Sequence, residues 1–236
     1  MDQTATARGF TNSVDRTAFL LGCGSVAGFL FIAVSFALAF SRSGYEFSEH
    51  PLSLLSLGDF GWVQILNFVV VGGLFLACAF GMRDALGQEN GGIWIPRLLG
   101  VFGACVVAGG ILLTDPAFGF PAGAPVGQAK EMSWHGVGHA IAFPLGFVAL
   151  VASFFVFARR YRRARERGWA AACVAIGVVV FVLSMWPNLA DSPEGRFAPL
   201  WAAMVLAFGW VSIMAIRLQR NPSGIRPGDE RSLRRG

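Results

Sequence analysis

The chain has 236 residues, of which 55% are hydrophobic and only 14% charged, with a mean hydropathy of +0.58 and a formal net charge of +5. An ordinary globular domain carries about 25% charged residues and breaks its apolar residues into short amphipathic pieces, so a water-soluble or disordered chain is excluded. The apolar residues fall instead into six blocks, each about long enough to cross a hydrocarbon core roughly 30 Å thick.

A short segment, residues 1–17, precedes the first block, Ala18 to Phe40, which is too long for the core of a cleaved signal peptide and is expected to remain as an anchor. The loop after it opens on His50-Pro51 and runs through Gly58 to Asp59. Proline in the first turn and glycine after the last predict a short helix at the interface, with Ser53 and Ser56 sharing a face. The second and third spans are Trp62 to Met82 and Leu98 to Thr114, and the third ends on Asp115-Pro116. A carboxylate there meets the negative end of the helix macrodipole and requires a cation nearby. The fourth span, Trp134 to Ala158, starts with Trp134-His135-Gly136-Val137-Gly138-His139, and Pro144 predicts a kink below His139 that widens this end of the bundle. The fifth and sixth spans are Trp169 to Trp186 and Phe197 to Ile216, and the polar, turn-rich tail 218–236 is expected to be disordered. The fold class is therefore all-α, a polytopic helical bundle of six transmembrane helices over residues 18–217.

Charge gives the orientation. Sixteen of the nineteen basic residues fall on the side of both termini, leaving Arg42, Lys130 and Arg196 on the other. By the positive-inside rule the topology is N-in/C-in. The run Arg159, Arg160, Arg162, Arg163 is expected to contact the anionic inner leaflet, each basic residue being worth about 1 kcal/mol there. No folded basic domain or interleaved aromatics accompany it, so nucleic acid is excluded as a partner. Trp62, Trp134, Trp186 and Trp201 near outer ends, and Trp94 and Trp169 near inner ends, read as aromatic belts. Gly24, Gly28, Gly100, Gly103, Gly109 and Gly110 read as close-packing positions between helices. Cys23, Cys78, Cys105 and Cys173 all lie inside apolar blocks and read as packing residues rather than a disulfide or metal framework.

The outer side holds all three histidines, His50, His135 and His139, together with Glu46, Glu49, Asp59, Asp115, Glu131, Asp191 and Glu194. No Asp, Glu, Lys, Arg or His lies near the middle of any span, which counts against an ion-coupled transporter with a midplane site. His135 and His139, four apart, share one helical face about 6 Å apart along the axis, a spacing that suits two imidazoles on one metal. With His50 and Asp115 they make a candidate site for zinc or another divalent transition metal, with a position left open for water. The competing reading is that these polar groups pair with one another and with backbone to fix the loops.

The runs SEHPLSLLSLGDFGWVQILNFVVVGG from Ser48, LLTDPAFGFPAG from Leu112 and SWHGVGHAIAFP from Ser133 resemble the bacterial six-helix membrane family catalogued as domain of unknown function 998. The pieces that carry the likeness are Ser53-Leu54-Leu55, Leu57-Gly58-Asp59, Asn67-Phe68, Asp115-Pro116 and His139. The resemblance implies the six-span architecture, points to the same outer loops and names no substrate; the inner (plasma) membrane is the expected location. In its inventory of histidines, aspartate and serine the chain is also similar to the ceramidase and adiponectin-receptor hydrolases, which have seven spans and a different motif order. Three functions follow as expectations. The first is a binding or assembly role, with lipid, a protein partner or a second copy, at a polar outer face. The second is a metal-dependent hydrolase acting there on a lipid or small molecule, and the third a small-solute transporter.

Overall fold

The computed structural model describes residues 3–88, 92–129, 131–189 and 196–220, with backbone only for residues 3–14. The helices are α1 (Gln3–Ser41), α2 (Gly61–Leu86), α3 (Trp94–Ile111), α4 (Trp134–Arg163), α5 (Arg167–Leu189) and α6 (Ala198–Arg220), with a short 3-10 helix at Leu52–Ser56. All six are long and apolar enough to cross a membrane, and no strand occurs among the described residues. The protein is an integral, multi-pass membrane protein. The segment expected ahead of the first span is, from Gln3 on, the inner end of α1 itself. Similarly, α6 runs on to Arg220; the remainder of the expected tail, with Lys130, Asp191 and Glu194, lies outside the described residues.

Each helix packs on its neighbours in sequence, and α6 closes the ring onto α1. Water drives none of this inside lipid, so close approach of backbones and buried polar contacts carry the packing. Gly28 of α1 lies against the Phe208 carbonyl, where an added Cβ would sit 2.7 Å from the oxygen. Gly72 and Gly103 face each other across α2 and α3, and a Cβ on Gly103 would stand 2.9 Å from the Gly72 carbonyl. Gly24 abuts Cys78, and all four cysteines are free. A buried polar clamp joins α1 to α2: Asn67 Nδ2 donates to the Phe31 carbonyl and to Ser35 Oγ, both at 3.2 Å, and Gln64 Nε2 donates to Ser35 Oγ at 3.1 Å.

At mid-depth the ring is filled by phenylalanines. Phe208 of α6 meets Phe31 of α1, Phe75 of α2 and Phe102 of α3 at centroid distances of 4.7, 5.3 and 5.5 Å, and Phe68 meets Phe31 at 5.3 Å. Phe31 and Phe208 each stand ten residues from the outer ends of their helices, about 15 Å, half of a hydrocarbon core roughly 30 Å thick.

Two expectations are corrected here. Trp201 is not in the outer aromatic belt: it is buried, edge-on to Phe36 at 5.0 Å and Phe47 at 4.9 Å, because α6 turns this ring under the first outer loop. Arg160 does not reach the headgroups either. It is fully buried and its Nη2 donates to the Leu86 carbonyl at 3.1 Å, closing the C-terminal end of α2, whereas Arg159, Arg162 and Arg163 are exposed. Beside it, Arg217 pairs with Glu166 and lies over the Trp169 ring at 4.2 Å.

The glycine contacts make a comparative prediction. Gly103→Ala drives a Cβ into the α2 backbone and is expected to cost about 1–3 kcal/mol. Gly100→Ala, whose Cβ would meet only the Ala79 methyl at 3.9 Å, is expected to be neutral. Thermal unfolding in detergent separates them; equal midpoints would show that the α2–α3 crossing is not set by Gly103.

Candidate functional site

The loop between α3 and α4 brings the C-terminal end of one helix to the N-terminal end of the next, and Asp115 joins them. Ser133, the N-cap of α4, donates its backbone N–H to Asp115 Oδ2 at 2.9 Å and its hydroxyl to Oδ1 at 2.6 Å. The same hydroxyl accepts from Gly136 N–H at 3.0 Å. The carboxylate thus lies over the positive end of the α4 macrodipole, which meets the requirement for positive charge that its place after α3 creates. Gly136 is needed beneath it, since a Cβ there would collide with Asp115 Oδ2.

The three histidines have separate tasks. His50 is buried, accepts from the Glu46 N–H on Nδ1 at 2.8 Å and donates from Nε2 to the Phe118 carbonyl at 2.9 Å. Both ring nitrogens are therefore used in tying the first outer loop to the second. Tyr45 packs tilted against it and donates its hydroxyl to the His50 carbonyl at 3.1 Å, and burial pushes this phenol well above its ordinary pKa. Phe197 N–H donates to the Ser48 carbonyl at 2.8 Å, which brings the start of α6 into the same cap. His135 Nδ1 sits 2.7 Å from Ser133 Oγ and 3.2 Å from the Leu113 carbonyl. The serine proton already goes to the carboxylate, so this imidazole nitrogen is the donor. His139 donates from Nδ1 to the Leu112 carbonyl at 2.8 Å, which leaves Nε2 as the acceptor nitrogen.

Among the described residues no group of three or more histidine, cysteine, aspartate or glutamate side chains is placed to hold a metal ion. The expected zinc set of His50, His135, His139 and Asp115 is accordingly not assembled. Its physical reason is local: His50 uses both ring nitrogens on the Glu46 N–H and the Phe118 carbonyl, and Asp115 is held by Ser133, so neither joins His135 and His139 in one set.

What the outer end does contain is a cavity of about 420 Å³. Most of its polar lining residues, Ser53, Thr114, Asp115, Gln128, Asn188 and Arg196, gather at the outer level, interleaved with Pro51, Phe118, Met132 and Phe197. His139 lies one step lower, about 7 Å below the level of Trp134. Below that the wall is apolar, formed by Val106, Ala142, Phe143, Phe147 and Met204, and the floor is the phenylalanine cluster of Phe31, Phe68, Phe102 and Phe208. Of the four predicted site residues, Asp115 and His139 line this cavity, while His50 and His135 do not. The serine face expected on the outer helix divides, since Ser53 lines the cavity and Ser56 is buried. Sequence reasoning missed Gln128, Asn188 and the phenylalanines; the legible signals were Arg196, a candidate cation for Asp115, and Pro144. Proline has no N–H for the Ala140 carbonyl, and Ala140, Phe143 and Phe147 all line the cavity around it.

Residues 25–218 match the family described as protein of unknown function (DUF998). No curated protein and no solved structure matches the chain.

If Asp115 acts as the joint between α3 and α4, Asp115→Asn, which keeps the shape and removes the charge, is expected to lower stability by about 1 kcal/mol. Ser133→Ala, which removes the hydroxyl shared by three groups, is expected to cost at least as much. Thermal unfolding of both variants in detergent checks this, and midpoints equal to that of the parent chain would remove Asp115 from the joint.

Proposed function

Since the chain belongs to the DUF998 family and is an integral membrane protein of six spans, we propose that it is a binding protein whose ligand is an amphiphile held in the outward-opening cavity. The observation that carries this reading is the order of polarity along the cavity: amides, hydroxyls and one charge of each sign at the mouth, aliphatic and aromatic walls below, and a floor of packed phenylalanines at mid-depth. Binding sites of this kind are mostly apolar with a few convergent polar groups that fix orientation. A ligand that matches has a polar head and an apolar tail, the character of the membrane's own lipids. We place the protein in the inner (plasma) membrane, with Arg159, Arg162 and Arg163 against anionic headgroups at the opposite end.

The alternatives have less behind them. A hydrolase needs a nucleophile beside its base, and Ser133, the hydroxyl next to His135, already serves Asp115, Gly136 and His135. Transport needs a path through the bundle, and the phenylalanine floor stands across it.

Ligand binding to the folded state raises the midpoint of thermal unfolding by mass action. Titrating a lysophospholipid into the protein in mild detergent is therefore expected to raise the midpoint. Ala142→Phe, which fills the cavity wall, should abolish the rise, and Val148→Phe on the exposed face of α4 should preserve it. No rise in the parent chain, or an equal rise in both variants, would sink the proposal.

A further inference from the structure

The seam between α4 and α5 is closed in its inner half and open in its outer half. On the inner side Phe154 and Phe155 lie against Gly177, and the Tyr161 ring lies tilted against Trp169 with centroids 6.1 Å apart. Phe154 is fully buried there. Ala140 stands fourteen residues earlier, two heptads along the same flank of α4, yet it is exposed and lines the cavity. Opposite it, α5 supplies Ser184, Pro187 and Asn188 to the cavity, and Asn188 is exposed. α5 is also the least buried of the six spans, with 28% of its apolar window buried against 39–56% for the other five. Prolines at 144 and 187 fall on the two sides of this opening, where each removes a helix hydrogen bond and limits how closely the helices continue together.

We infer that the cavity takes one acyl chain of a bilayer lipid, and that the chain enters sideways from the outer leaflet through the open half of the α4–α5 seam. This rests on the binding role proposed above. Depth argues for an acyl chain: from the outer ends of α1 and α6 to the phenylalanine floor is about 15 Å, the thickness of one leaflet's hydrocarbon layer. Polarity argues for a lipid already in the membrane, because the headgroup then stays level with Asp115, Arg196, Gln128 and Asn188 while the tail slides past Ala140. That route never exposes the tail to water, whereas the mouth alone would require it. Phe143 and Phe147, four apart on α4 with centroids 4.7 Å apart, form the wall that the tail would follow downward.

The test reconstitutes the full chain in vesicles of phosphatidylethanolamine and phosphatidylglycerol doped with a phospholipid that carries a photoreactive diazirine near the end of one tail. After illumination, adducts are mapped by mass spectrometry of peptides. Adducts on Phe143, Phe147 or Met204, in addition to those on the exposed Ile141, Leu145 and Val148, are expected. Ala140→Trp, at an exposed position, is expected to reduce the cavity adducts several-fold and leave the exposed ones unchanged; Asn188→Trp, from the facing helix, should do the same. Cavity adducts undiminished in both variants would overturn the sideways route. A parallel sample receives a water-soluble lysophospholipid with the same diazirine. Labelling of the cavity by that probe but not by the bilayer phospholipid would overturn this inference and leave the binding role standing. Labelling of the exposed residues alone by both probes would overturn the two together.

Discussion

Inside a bilayer every backbone N–H and C=O must find its partner within the protein, and this constraint shapes the molecule more than any single contact. It is why all the long elements are helices, and why helix ends and irregular loops, the places where backbone groups lose their partners, gather at the membrane surfaces. At the inner end Arg160 is drawn into the bundle to satisfy the Leu86 carbonyl, the last of α2. At the outer end the carbonyls of Leu112 and Leu113, which close α3, are met by His139 and His135 from the start of α4. The histidine pair that resembled half of a metal site is thereby accounted for as the partner of a helix terminus.

The same reasoning explains the residues that carried the family resemblance. Asn67 clamps α2 to α1, and Phe68, next to it, packs on Phe31 and lines the cavity floor. Leu54 and Leu55 are buried under the outer loops, while Gly58 turns the chain with a positive φ of 66° beside Arg42, whose Nη2 donates to the Leu57 carbonyl at 2.8 Å. Asp115 links α3 to α4. His139 is the exception, since it both closes α3 and faces the cavity. Most of these residues serve the framework around the cavity, and Asp115 and His139 are where framework and ligand surface meet.

The cavity itself follows from what the helices cannot do. Two prolines and a sparsely packed α5 leave the outer halves of α4 and α5 apart, while glycines at the α1–α6 and α2–α3 crossings hold the rest of the ring close. Without a hydrophobic drive between helices there is no force to collapse such a gap, because lipid fills apolar space as readily as side chains do. A chamber that would be costly in a soluble core is therefore stable in a membrane protein when an acyl chain is at hand.

Composition and the spacing of apolar residues were enough to determine the class, the number of spans and the side on which the basic residues gather, because these depend on local hydropathy and on charge within a short distance of each helix end. The packing role of Gly28 and Gly103 was legible too, because small residues in apolar blocks mark close helix approach. Tertiary structure alone decided which polar residues meet. Asp115 and Ser133 are eighteen residues apart in sequence, and His50 and Phe118 sixty-eight, and no periodicity relates such distant atoms. It also turned Arg160 and Trp201 inward from faces that sequence assigned to the membrane surface, since hydropathy places a residue along a helix but does not say which face meets the neighbouring helices. The cavity was the least legible feature of all, being a property of the space between helices rather than of any one of them.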